Sequence, residues 1–147
     1  MLTRRIFILC CALGLPAGIG GYTFVYAKGF SYFSANPNYC TNCHAMNEQY
    51  DSWMKSGHRH AAVCVDCHLP HSGAEKWISK ADQGFRHSLA FTLQNYKEPI
   101  EITGRDREIV LQNCIRCHSQ FVHAVYEAPG AAHEKMDCLH CHRRPGH

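Results

Sequence analysis

Cys40-Thr41-Asn42-Cys43-His44, Cys64-Val65-Asp66-Cys67-His68, Cys114-Ile115-Arg116-Cys117-His118 and Cys138-Leu139-His140-Cys141-His142 are four copies of one pattern, C-x-x-C-H. That pattern attaches a c-type haem. Two thiols at this spacing add to the two vinyl groups of one porphyrin, and the imidazole of the next residue falls beneath the iron. Zinc is the main rival, because paired C-x-x-C segments also make Cys₄ sites. Disulfides within each C-x-x-C are a weaker one. Neither needs the histidine. With 12 His in 147 residues, finding His at all four following positions by chance has odds of roughly 5 in 100,000. Four covalently bound c-type haems are therefore expected. Only Cys10 and Cys11 remain outside the motifs, and no structural disulfide is expected.

Four porphyrins also decide the fold class. The segment after residue 28 is rich in turn formers, among them Pro37, Gly57, Pro70, Gly73, Pro99, Gly104, Pro129 and Gly130. A chain that short builds only a small core of its own, and the porphyrins serve as core instead. The expected class is mainly α: an N-terminal transmembrane helix, then a small multihaem domain of short helices and loops with little or no sheet. The longer helices are predicted over Gly73–Gln94, where Trp77, Phe85 and Leu89 share one face, and over Asp106–Cys117.

The formal charge is +3 with His neutral. That is too weak for nucleic-acid binding, and no Lys/Arg run supports it. Each haem brings two propionates, so the holoprotein is expected to be net acidic by roughly five charges, a field that shapes partner encounter rather than fold.

Residues 6–27 carry no charge. At about 1.5 Å per residue they reach roughly 33 Å, enough to cross a hydrocarbon core of about 30 Å. Tyr22 and Tyr26 fall where an interfacial aromatic belt lies, and Arg4-Arg5 precede the run. The positive-inside rule puts the N-terminus in the cytoplasm and the rest outside. A cleaved signal peptide has a shorter apolar region and a small-residue cleavage site, and Val25 does not suit one. The expected organisation is an inner-membrane anchor over 1–28, with lipid as its partner, and a periplasmic tetrahaem domain over 29–147. Cys10 and Cys11 read as two small apolar residues facing lipid.

The interval from Cys40 to Cys64 recurs from Cys114 to Cys138. His58 or His60 precedes the second motif as His133 precedes the fourth, and His71 follows the second as His147 follows the fourth. The domain thus reads as duplicated di-haem halves, about 40–71 and 114–147. A six-coordinate iron reorganises little, so electron-transfer haems usually call for a second axial ligand, and three or four irons here need one. The spare imidazoles are His58, His60, His71, His87, His123, His133 and His147. The first motif differs, because Met46 stands two residues past His44. A thioether there either ligates iron, raising its potential relative to imidazole, or packs on the porphyrin.

The anchor, Cys40-x-x-Cys43-His44-Ala45-Met46, Ser56-Gly57-His58, Cys67-His68-Leu69-Pro70-His71 and Lys80-Ala81-x-x-Gly84 together resemble the NapC/NirT family of membrane-anchored multihaem quinol dehydrogenases. The resemblance covers nearly the whole chain. It implies menaquinol oxidation at the membrane surface, with electrons passed from haem to haem to a soluble multihaem reductase. The short length favours the branch that serves a periplasmic pentahaem nitrite reductase catalytic subunit, which makes ammonia from nitrite. Met46 rather than His44 is implied as the first haem's ligand, His58 as a ligand of the fourth haem and His147 of the third. His68, His118 and His142 are the proximal ligands of the other three. The second haem's distal ligand is either Lys80, by resemblance, or His133, by internal symmetry. Lysine must lose its proton to bind iron, and burial is what lowers its pKa enough for that. If His133 binds, Lys80 is free for the quinol. The family's carboxylate near the open face of the first haem is replaced here by His87, a residue that also serves as a base near neutral pH. Asp82 is a nearby carboxylate and an alternative in that place. The quinol site is therefore expected at Lys80, Asp82 and His87.

Two other classes of function compete. A donor to a different periplasmic reductase, of nitrate or of N- or S-oxides, keeps the same chemistry with another partner. A pure electron-transfer cytochrome without quinol oxidation is the second. The anchor argues against a diffusing shuttle, and reduction of a small molecule at the first haem would need no partner at all.

Overall fold

A computed structural model describes residues 2–126 and 137–147. The described residues are helical or irregular, with no strand among them. The chain forms two compact units, Met1–Tyr50 and Asp51–His147. This grouping by packing is a different division from that between anchor and haem domain.

In the first unit, α1 runs over Leu2–Tyr26. Its 25 residues span roughly 37 Å at about 1.5 Å each, and the helix is long and apolar enough to cross a membrane. Ile6, Phe7, Leu9, Leu13 and Ile19 are exposed along it, as a lipid-facing helix requires. Pro16 is accommodated inside the helix. Tyr22 and Tyr26 stack with ring centroids 5.9 Å apart. The helix ends where Lys28 takes a left-handed conformation, φ 54°. Beyond it the chain coils into 3₁₀ turns over Gly29–Phe33, Pro37–Asn42 and His44–Met46. Asn36 caps the second of these, its side chain accepting from the Asn38 amide at 3.0 Å. Asn42 donates to the Ser31 hydroxyl at 3.1 Å, tying two of the turns together.

α2 (Asn47–Lys55) leads into the second unit, which holds α3 (Cys64–His68), α4 (Gly73–Leu93), α5 (Gly104–Tyr126) and α6 (Cys138–Cys141). The two longer helices lie where periodicity placed them. α5 extends further, through the third motif, with a kink at His118 (φ −104°, ψ 20°). Thr103 caps its start: the Thr103 hydroxyl accepts from the Asp106 amide at 3.3 Å and donates to the Asp106 carboxylate at 2.6 Å.

The polypeptide core is small. Trp53, Leu69, Ile109, Val110 and Leu111 are its buried apolar residues, and no large side chain is completely buried among the described residues. Trp77, Phe85 and Leu89 stay exposed, and Ser79 and Lys80 are the buried positions of α4. The expected shared apolar face of α4 is therefore not one this polypeptide's own core covers.

Candidate functional site

The four motifs take three local forms. The first lies on 3₁₀ turns in the first unit. There the Met46 amide donates to the Cys43 carbonyl at 2.9 Å. That turn puts His44 and Met46 on one short element, with His44 exposed and Met46 half-buried. The second and fourth motifs are single short helices, each started by an aspartate. Asp66 accepts from the Val63 amide at 2.9 Å, and Asp137 accepts from the Leu139 amide at 3.1 Å. The third motif is embedded in α5.

Within the second unit the motifs converge. Asn113, just ahead of Cys114, donates at 2.9 Å to both the Cys67 carbonyl and the Leu69 carbonyl. It clamps the end of α3 onto α5. Burial pushes the Cys67 thiol up, aided by Asp66 and Cys117 and opposed by Arg116. Burial likewise raises Cys114, whose further electrostatic neighbours include Cys138, Cys67 and Cys117. Thiols of three motifs thus lie within electrostatic reach of one another. Arg107 and Asp137 form an ion pair that ties α5 to the start of α6.

The histidines follow the thiols. His147 Nε2 lies 3.4 Å from His68 Nε2, and the two rings are nearly parallel, 12° apart. The His58 and His118 rings stand edge to face with centroids 6.1 Å apart. His58 Nδ1 donates to the Pro145 carbonyl, at 2.8 Å, which leaves Nε2 as the unprotonated ring nitrogen, the arrangement of a metal-binding histidine oriented by a backbone partner. Both spare imidazoles therefore stand against motif histidines. The resemblance implies other partners, the fourth haem for His58 and the third for His147. Burial, then His147, pushes His68 below the ordinary imidazole range, so it is held neutral as a ligand must be. His71 accepts from Arg116 at 2.8 Å and meets the Asp66 carbonyl at 3.0 Å. His133 lies outside the described residues.

These features fit covalently held haem. None of the eight motif cysteines is joined in a disulfide. Among the described residues no group of three or more His, Cys, Asp and Glu is arranged to hold a bare metal ion. The exposed aromatic side of α4 is the kind of surface a porphyrin covers.

The residues expected at the quinol lie on α4. Lys80, Gln83 and His87 share one face at helical spacing. Lys80 is buried, with its ammonium 5.7 Å from the centre of the Trp77 ring. His87 remains accessible to solvent. Partial desolvation lowers its pKa below the ordinary 6.5, with Arg86 acting the same way and Asp106 and Asp82 opposing. The ring is therefore neutral at pH 7. Asp82 is engaged by two guanidinium groups, Arg86 at 2.9 Å and Arg105 at 3.0 Å. Asp106 is buried and accepts from Gln83 at 2.9 Å, from Thr103 and from Arg86 at 3.5 Å. Gln83, Asp106 and Asn113 are not marked as site residues by any motif. The signal that could have found Asp106 is the Thr103-x-x-Asp106 spacing of a helix start.

Residues 3–110 match the model of the NapC/NirT cytochrome c family, N-terminal region. The chain is 37% identical to the cytochrome c-type protein NrfH of Wolinella succinogenes, over 97% of this chain and 83% of that protein. It is 33% identical to the cytochrome c nitrite reductase subunit NrfH of Nitratidesulfovibrio vulgaris, over 82% of this chain and 72% of the relative. A crystal structure of the cytochrome c nitrite reductase NrfHA complex bound to the inhibitor HQNO is similar over 90% of this chain and 88% of that chain, with 30% identity and a TM-score of 0.65.

Proposed function

The chain belongs to the NapC/NirT cytochrome c family, and from that premise we propose that it is the inner-membrane tetrahaem subunit of a cytochrome c nitrite reductase, oxidising menaquinol and passing the electrons to a periplasmic pentahaem catalytic subunit. The observation that carries this proposal is similarity along nearly the whole chain to nitrite reductase subunits. The anchor supports the same assignment, with the N-terminus in the cytoplasm and the haem domain in the periplasm. When bound, the haems supply one-electron redox chemistry.

The residues have separable roles. Each C-x-x-C pair holds one porphyrin by two thioether bonds, and Met46, His68, His118 and His142 approach from the motif side. His58 and His147 bring second imidazoles, each already standing at a motif histidine. The second haem's remaining ligand is Lys80 or His133.

Quinol oxidation releases two electrons and two protons, and the protons need an acceptor. His87 suits that role, because its ring is neutral at pH 7 and open to solvent. Asp82 is committed to Arg86 and Arg105 and organises that corner of α4. Lys80 is a buried donor that can hold a quinol oxygen if it is not a haem ligand.

The test is affinity purification from membranes of nitrite-grown cells with an N-terminal tag, since His147 at the other end is a proposed iron ligand. Intact-mass measurement should give four haems on the chain. A larger multihaem protein should co-purify, and the complex should oxidise menaquinol with nitrite. Recovery with a molybdenum reductase, or of a chain that menaquinol does not reduce, overturns the proposal.

A further inference from the structure

Gln83 Nε2 sits between two acceptors. It donates to the His68 carbonyl at 3.1 Å and to Asp106 Oδ1 at 2.9 Å. One side-chain amide thus joins the backbone of the second motif's histidine to a buried carboxylate. The other Asp106 oxygen accepts from Thr103 at 2.6 Å and from Arg86 at 3.5 Å. Arg86 continues to Asp82 at 2.9 Å, and Asp82 to Arg105 at 3.0 Å. The network therefore runs along α4 from the stretch that carries Asp82 and His87 to the loop after His68.

We propose that Asp106 is a positioning residue that sets the redox poise of the haem held by Cys64 and Cys67. The inference rests on the functional assignment above.

A buried carboxylate is costly to ionise unless donors surround it. Burial pushes the Asp106 carboxyl up, but the hydrogen bonds from Thr103 and Gln83 and the charges of Arg86 and His87 outweigh it and hold it below the ordinary carboxylate range. It is a fixed negative charge at neutral pH. Gln83 couples that charge to the second motif, since it donates both to Asp106 and to the His68 carbonyl. A negative charge beside an iron stabilises the ferric form and lowers the potential. Arg86 partly neutralises Asp106, so the two residues push the potential in opposite directions.

Redox titration of the purified holoprotein with spectroscopic detection tests this. Asp106→Asn preserves shape and one acceptor. It should raise the ferrous-to-ferric ratio of one haem component at fixed potential about tenfold, equivalent to about 59 mV for one electron. Arg86→Gln should lower the ratio of the same component several-fold. A merely structural role would not give shifts of opposite sign. The proposal is overturned if no component moves by more than about twofold in Asp106→Asn, or if both variants move it the same way. Intact mass of the wild type separates this from the parent assignment: fewer than four haems would sink that assignment, and this proposal with it. Asp106→Glu, which keeps the charge, guards against misfolding and should hold the wild-type ratio within about twofold. A tenfold rise there overturns the proposal as well.

Discussion

The first motif and the third contain the same chemistry on different supports. Cys40–His44 lies on short 3₁₀ turns, fastened by Asn36, Asn38 and Asn42. Cys114–His118 is embedded in a helix of 23 residues that packs on α3 through Asn113. The thiols of the third motif have those of the second and fourth as electrostatic neighbours. Identical residues at identical spacing thus define a cofactor but not its setting. The turn carries Met46 beside His44; the helix lies among the thiols of three motifs.

The largest expected effect comes from deleting each haem in turn. Cys40→Ser with Cys43→Ser should remove one haem and leave the second unit's helices in place. Cys114→Ser with Cys117→Ser should remove more than one, because α5 is the element against which α3 and α6 are held. Intact mass and circular dichroism read the outcome. Equal loss in both variants would erase the contrast between the turn and the helix.

His87→Gln sharpens it from the functional side. A positioned general base contributes about 10²–10⁴-fold, and menaquinol-driven haem reduction should fall by that order while reduction by dithionite stays normal. The pH dependence has a definite sign. The pKa of His87 is depressed below 6.5, so the acceptor is present at pH 7 and is lost as pH falls through that depressed value. The wild-type rate should therefore drop on the acid side of 6.5, and His87→Gln should lack that limb. An unchanged acid limb would assign the proton to another group.

Much of this was legible in the sequence. Four motifs with their histidines specified the cofactor, because covalent attachment demands a fixed local spacing. The uncharged run before Lys28 specified the anchor, and α4 and α5 lie near their predicted ranges. Motif spacing does not encode which imidazoles face each other. His147 meets His68 across 79 residues of chain, a tertiary result. Burial of Lys80 and exposure of Trp77 also escaped the pattern, since periodicity finds a helix's faces but not what each one meets.

Asn113→Ala probes the clamp between the second and third motifs. It strands two carbonyls, those of Cys67 and Leu69, the second in a buried bond. Leaving buried acceptors unpaired costs about 1–3 kcal/mol each, so the second unit should lose about 3 kcal/mol in denaturant unfolding, with little effect on the first motif's haem. A loss below about 1 kcal/mol would mean that the porphyrins rather than Asn113 join these helices.

The smallest effect tests how α5 begins. Thr103 caps the helix and donates to Asp106, so Thr103→Ala removes a cap worth about 1 kcal/mol, and Thr103→Ser should restore it. Both keep the Asp106 charge. The cap and the charge are therefore separable: Thr103→Ala should lower the unfolding midpoint while leaving the haem potentials far less shifted than Asp106→Asn does. If Thr103→Ala moves the potentials as much as Asp106→Asn, then geometry at the start of α5, rather than charge, governs the second haem.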